Sequence, residues 1–195
     1  MTVAYDPLNY DNLARNVVQA LLDSNEVPLP PTDAFEGAGV YAVYYHGDFA
    51  PYAPIVGGQP PLPIYVGKAV PVGARKGGVG SPSSARRELW NRLREHAESI
   101  EAARNLRAGD FTCRYLVVVP VWVSLAERFL VAHFKPIWNV VIDGFGNHDP
   151  GAGRRGMKRP RWDIVHPGRH WAERLEAAED ADAVLGRLRS FLESR

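Results

Sequence analysis

Apolar residues in the first segment recur at helical spacing, with Leu13, Val17, Ala20 and Leu21 on one face over about residues 9–23. Asp23-Ser24-Asn25 and Pro28-Leu29-Pro30-Pro31 end that pattern, predicting an N-terminal helix that packs on a core built later in the chain. Gly39-Val-Tyr-Ala-Val-Tyr-Tyr45 is β-branched and aromatic and predicts a strand. Ile64-Tyr-Val-Gly67 predicts a second, short strand, and Phe111 to Val119 a third. Helical spacing returns at Leu89, Leu93, Ala97 and Ile100, in a helix reaching about residue 107 for which Ser81-Pro82-Ser83-Ser84 offers N-caps. Ser124-Leu-Ala-Glu127 opens another helix that stops before Pro136, and one or two helices close the chain over about 171–193. Between these lie a proline-rich loop at 46–63 and a glycine-rich loop at 70–83, both long enough to point to function. Three strands with interleaved helices make a small α/β sandwich, and the absence of a repeat or linker predicts a single domain over 1–195.

Composition narrows the class. With 195 residues, 46% hydrophobic and 23% charged, the chain excludes disordered, collagenous and membrane-spanning types. No basic start leads into an apolar run, so neither a secretory signal nor a membrane association is expected, and the expected location is cytoplasmic. The lone Cys113 excludes an internal disulfide framework and a cysteine-only zinc site. Net charge is only +1 but is segregated: residues 1–70 carry −5, 71–110 carry +3, 111–171 carry +5 and 172–195 carry −2. An electropositive middle between acidic ends is weak support for a phosphate-bearing partner.

Each candidate for chemistry has an ordinary explanation beside it. Tyr41 and Tyr65 lie on strands, where tyrosine usually serves packing. Arg92 and His96 share a helix side, about 100° and 60° from Leu93 at the centre of the apolar face. Ala85, Ser99 and Ala103 fall on that shoulder, leaving room beside the pair for something other than protein; alone, the two read as an amphipathic flank. Glu127 completes a capping box with Ser124, and Asn139 follows Pro136-Ile-Trp138, where asparagine commonly turns the chain. His133 stands nearly opposite Glu127, and His46, His148, His166 and His170 lack metal-ligand spacing. No G-x-x-x-x-G-K-S/T loop and no G-x-S-x-G elbow occurs, so a nucleotide cofactor is not expected.

The order of these candidates is more specific than any one of them. Gly39-Val-Tyr41, Tyr65-Val-Gly67-Lys68, Arg92-x-x-x-His96, Glu127 and Asn139, in a strand–strand–helix–strand–helix layout, resemble the GIY-YIG nuclease family over residues 37–140. Val replaces the middle Ile in both tripeptides, and the spacings from Tyr41 to Tyr65 and from Gly67 to Arg92 are stretched. Long basic insertions with extensions at 1–36 (helical) and 141–195 (a basic loop and helices) look more like the family's type II restriction endonucleases.

The resemblance implies an α+β fold with a three-stranded antiparallel sheet flanked by helices, and hydrolysis of DNA phosphodiester bonds. It implies one divalent cation, Mg²⁺, on Glu127; Tyr41 as general base with its phenolate favoured by Lys68 or Arg92; and His96 as relay or as the base itself. Arg92 would stabilise the transition state, and Tyr65 and Asn139 would orient water and phosphate. Two basic clusters, Arg75, Lys76, Arg86 and Arg87, and Arg154, Arg155, Lys158, Arg159 and Arg161, are expected to meet duplex DNA. Arginine pairs with guanine edges, which leans toward a G·C-rich target. A palindromic target argues for a homodimer. A structure-specific or nicking repair nuclease, and an inactive DNA-binding module, are the alternatives.

Overall fold

A computed structural model describes residues 9–58, 61–71, 86–151 and 156–195. Its centre is β2 (Gly39–Tyr45), buried at every position. That burial explains an apolar run with no polar alternation, because the strand has no face turned to water. The sheet is antiparallel with order β1-β4-β2-β3, formed with β1 (Val27–Pro28), β3 (Tyr65–Ala69) and β4 (Phe111–Val117). A fourth strand therefore joins the expected three. It is only two residues long and ends in proline, which an edge strand tolerates and which hides it from pattern reading.

The helices are α1 (Tyr10–Asp23), α2 (Glu88–Ala102), α3 (Pro120–Phe134), α4 (Ile137–Val140), α5 (Arg161–Val165), α6 (His170–Glu173) and α7 (Ala181–Glu193). Alternate residues of β2 serve two layers. Val40, Ala42 and Tyr44 pack on Val18 and Leu21 of α1 and on Val123, Ala126, Leu130 and Phe134 of α3. Tyr41, Val43 and Tyr45 pack on Leu89, Leu93, Ala97 and Ile100 of α2, and on Trp138, Phe145, Trp162, Val184 and Leu188. The segment after residue 140 thus completes the same core that α2 covers. Among the described residues no helix is long and apolar enough to cross a membrane.

Several boundaries differ from expectation for local reasons. The third strand ends at Val117 because the chain turns at Val119 into α3, with Pro120 at its first helical position, where proline's missing N–H costs nothing. Helix α2 stops at Ala102, since Ala103 is already extended. The loop at 46–63 holds a 3-10 turn, Ala50–Ile55, that buries Tyr52 and Ile55. Tyr52 Oη lies 2.5 Å from His166 Nε2 and accepts from Trp138 Nε1 at 2.8 Å, tying this turn to α4 and α5. Most of the loop at 70–83, with Arg75 and Lys76, and the caps at Ser81-Pro82-Ser83-Ser84 lie outside the described residues.

Candidate active site

Tyr41 and His96 meet beneath the sheet's odd face. The Tyr41 hydroxyl stands 2.5 Å from His96 Nε2, and both side chains are buried. Burial, reinforced by the Arg92 cation, holds the His96 imidazole well below its usual pKa. Burial likewise lifts the Tyr41 phenol well above its own, Tyr65 adding to the rise and Arg92 opposing it. Both groups are therefore neutral near pH 7 and share one hydrogen bond between the Tyr41 oxygen and the imidazole. The expectation that a neighbouring cation favours the Tyr41 phenolate is corrected: Arg92 acts in that direction, but burial outweighs it.

Register explains the glycine of the second tripeptide. Tyr41 faces Gly67 across β2 and β3, and a Cβ on Gly67 would come within 2.6 Å of Tyr41 Cζ and 2.9 Å of Tyr65 Cε1. Only a residue without a side chain lets both tyrosine rings converge on His96, their centroids 5.4 and 5.3 Å from the imidazole. The room that the helix shoulder promises beside His96 is filled by protein. Phe145 stacks on the imidazole at 4.5 Å with the planes 20° apart.

Arg92 is held from the same loop. Its Nη2 donates to the Gly146 carbonyl at 2.7 Å, Nη1 donates to Glu95 at 2.8 Å, and Nη1 also contacts His148 Nε2. The guanidinium borders a cleft of about 630 Å³ lined by Lys68, Asn91, Arg92, Glu95, Gly146 and His148 among others. Phe145, Gly146 and His148 were not singled out from sequence as site residues. Their one local signal is Gly144-Phe145-Gly146, an aromatic residue between two glycines. Behind them Arg169, buried, donates to Asp163 through Nε (2.6 Å) and Nη2 (2.5 Å), and to the carbonyls of Gly144, Phe145 and Asn147 at 2.9–3.0 Å.

Glu127 pairs with Lys68 Nζ at 2.8 Å, and Ser124 Oγ lies 3.3 Å from the same ammonium. The capping-box expectation is corrected, because α3 begins at Pro120 and both side chains leave its second turn toward β3. The Glu127 charge is felt at both tyrosine hydroxyls, raising their pKa. Asn139, on α4, spends its amide on the edge strand: Nδ2 donates to the Val66 carbonyl and Oδ1 accepts from the Val66 N–H, each at 2.8 Å. It completes the outer side of β3 as another strand would.

The basic residues divide. Arg86 and Arg87 are exposed where the chain enters α2, and Arg87 and Arg94 flank the Trp90 ring at 5.8 and 4.9 Å. In the second cluster Lys158 pairs with Glu176, and Arg161 with Glu179 at 2.7 Å. Arg159 donates to the carbonyls of Ala172, Glu173 and Leu175. These three are engaged within the protein, while Arg154 and Arg155, like Arg75 and Lys76, lie outside the described residues.

A family model described as the Eco29kI GIY-YIG domain matches residues 33–192, most of the chain. The chain belongs to this GIY-YIG family. No curated protein matches it. The family is that of a type II restriction endonuclease domain, which makes the chain a GIY-YIG nuclease with DNA as its partner. In this GIY-YIG nuclease Gly39-Val-Tyr41 and Tyr65-Val-Gly67 are neighbouring antiparallel strands whose tyrosines converge with Arg92 and His96, with Lys68–Glu127 beside them and Asn139 behind. The matched region runs 52 residues beyond residue 140 and takes in Phe145, Trp162 and Leu188, which pack in the core.

Proposed function

We propose that the chain is a sequence-specific type II restriction endonuclease that cuts DNA at a short palindromic site, leaning to G·C-rich sequence, with one divalent cation, Mg²⁺. The observation that carries this reading is the buried hydrogen bond between Tyr41 and neutral His96 beside the Arg92 guanidinium. A phosphodiester is anionic, so hydrolysis needs a proton acceptor for water and cations on the phosphate oxygens. Water gives a proton to the Tyr41 oxygen as the Tyr41 proton passes to His96 Nε2. The water oxygen bonds to phosphorus, and the bond to the leaving oxygen breaks. Arg92 binds the non-bridging oxygens, which its planar fork can take two at a time. Tyr65 orients the phosphate, Lys68 adds charge beside Glu127, and Asn139 keeps β3 in place for both.

No three His, Cys, Asp or Glu side chains converge among the described residues. The donor set fits a hard cation held by one partly exposed carboxylate, Glu127, and otherwise by water, a shell that Mg²⁺ accepts. When bound, the cation supplies positive charge for the leaving oxygen. Duplex phosphates meet Arg86, Arg87 and Arg94 along α2. A two-fold target takes a homodimer, one site per strand.

Plasmid DNA incubated with the protein and Mg²⁺, with the ends sequenced, tests the reading. One recurring short sequence supports it, and cutting at flaps or lesions supports a repair nuclease instead. Glu127→Gln should abolish cleavage and retain binding; an active variant would mean that Glu127 holds no essential cation. A protein that binds DNA without cutting under any divalent cation is a binding module only.

A further inference from the structure

We propose that Arg169, together with Asp163, is a positioning residue for DNA cleavage, setting the loop at 144–148 that orients Arg92 and packs His96. The proposal rests on the nuclease reading above and adds to it a pair of residues that do not themselves line the cleft.

The geometry is one of complete use. Arginine has five N–H donors, and those of Arg169 meet five acceptors: both Asp163 carboxylate oxygens and the carbonyls of Gly144, Phe145 and Asn147. Its guanidinium lies over the Trp162 and Trp171 rings at 4.5 and 4.8 Å, which fixes the plane of the fork. Asp163 and Arg169 are both buried, so neither is a surface ion pair with freedom to swing. With the carbonyls on either side turned to Arg169, the Gly146 carbonyl reaches the other way and accepts from Arg92 Nη2 at 2.7 Å. The same turn lays Phe145 on His96 at 4.5 Å. A Cβ at position 146 would come within 2.6 Å of Tyr65 Oη and 3.2 Å of Arg92 Nη2, so the backbone itself is pressed against the site. One buried cation thus supports two of the groups assigned to the reaction, and touches neither of them through a hydrogen bond.

Lysine at 169 keeps the charge but has three donors and no fork, so it cannot hold all three carbonyls and the carboxylate. The test uses the full chain with Arg169→Lys, Arg169→Gln and, as a matched control, Leu188→Ala, which weakens the same core layer from α7. Single-turnover cleavage with Mg²⁺ at saturating DNA, DNA affinity with Ca²⁺ in its place, and Tm are measured, each rate well below that variant's Tm. The expected result is a loss of at least tenfold in cleavage rate for both Arg169 variants with affinity within about threefold of wild type. Leu188→Ala, with an equal or larger drop in Tm, should keep the rate within about threefold. Arg169 variants that fold and cut within twofold of wild type overturn the proposal, as does a rate loss in Leu188→Ala that matches theirs. If neither Arg169 variant folds, Phe145→Leu decides: it keeps the ion pair and removes the stack on His96, and a wild-type rate in it overturns the proposal. A wild-type protein that cuts no DNA defeats the nuclease reading itself, whereas active Arg169 variants defeat only this addition to it.

Discussion

Gly67 lies opposite Tyr41 in the β2–β3 register, so close that a methyl group at position 67 would overlap the phenol ring. A side chain there must push Tyr41 from His96 or part the two strands. Gly67→Ala is expected to cost about 1–3 kcal/mol in stability, the range for overpacked cores, and to slow cleavage by more than tenfold. Urea denaturation and single-turnover cleavage read the two effects separately.

Tyr41→Phe keeps the ring's packing and removes the hydroxyl that hydrogen-bonds His96 Nε2. Stability should fall by about 1–2 kcal/mol, the cost of leaving a buried polar nitrogen unpaired. Cleavage should fall by about 10²–10⁴, the usual contribution of a positioned proton-transfer group. DNA affinity measured with Ca²⁺ should be unchanged, because in the proposed step the hydroxyl handles the proton of the attacking water and does not bind the phosphate.

Acid should destabilise the fold through its buried imidazoles. Burial holds His96 well below its usual pKa and draws His166 down to about 3. Unfolded histidine titrates near 6.5, so below that pH the unfolded chain binds protons that the folded one refuses. Stability is present above pH 6.5 and is lost as pH falls toward the folded values. Between pH 7 and pH 5 the loss from His166 is about 2 kcal/mol, with His96 acting in the same direction, readable by denaturation at the two pH values. Cleavage, which needs neutral His96, should show no acid limb at pH 6.5.

Salt dependence separates the two basic clusters. If Arg87 and Arg94 meet duplex phosphates as proposed, replacing both by alanine should lower the slope of log affinity against log salt by about 2, with the rate at saturating DNA unchanged. Arg159→Ala should leave the slope alone. It should lower stability by about 1–3 kcal/mol, since its donors serve the carbonyls of Ala172, Glu173 and Leu175. Equal slopes for wild type and the Arg87/Arg94 double variant would move the duplex to another face.

The amino-acid sequence alone was enough to place β2 at residues 39–45, because a strand buried on both faces has an apolar pattern without interruption. It also set the order of Tyr41, Tyr65, Arg92, His96, Glu127 and Asn139, and helical spacing marked the face of α2. On α1 the expected face is corrected: Val18 and Leu21 are buried while Ala20 is exposed, because the helix meets the sheet on a side rotated from the apolar spacing. Their roles needed the tertiary structure. Glu127 carries the local signature of a cap, and only the start of α3 at Pro120 shows it turned to Lys68. Asn139 sits in a turn-forming context, yet its amide bonds Val66, 73 residues away in sequence. Lys158, Arg159 and Arg161 look like free charge along the chain and are tied to residues 172–179. Local pattern records which face of an element avoids water. Which distant group meets a buried donor, and how far burial moves a pKa, depend on atoms that come together only when the chain is folded.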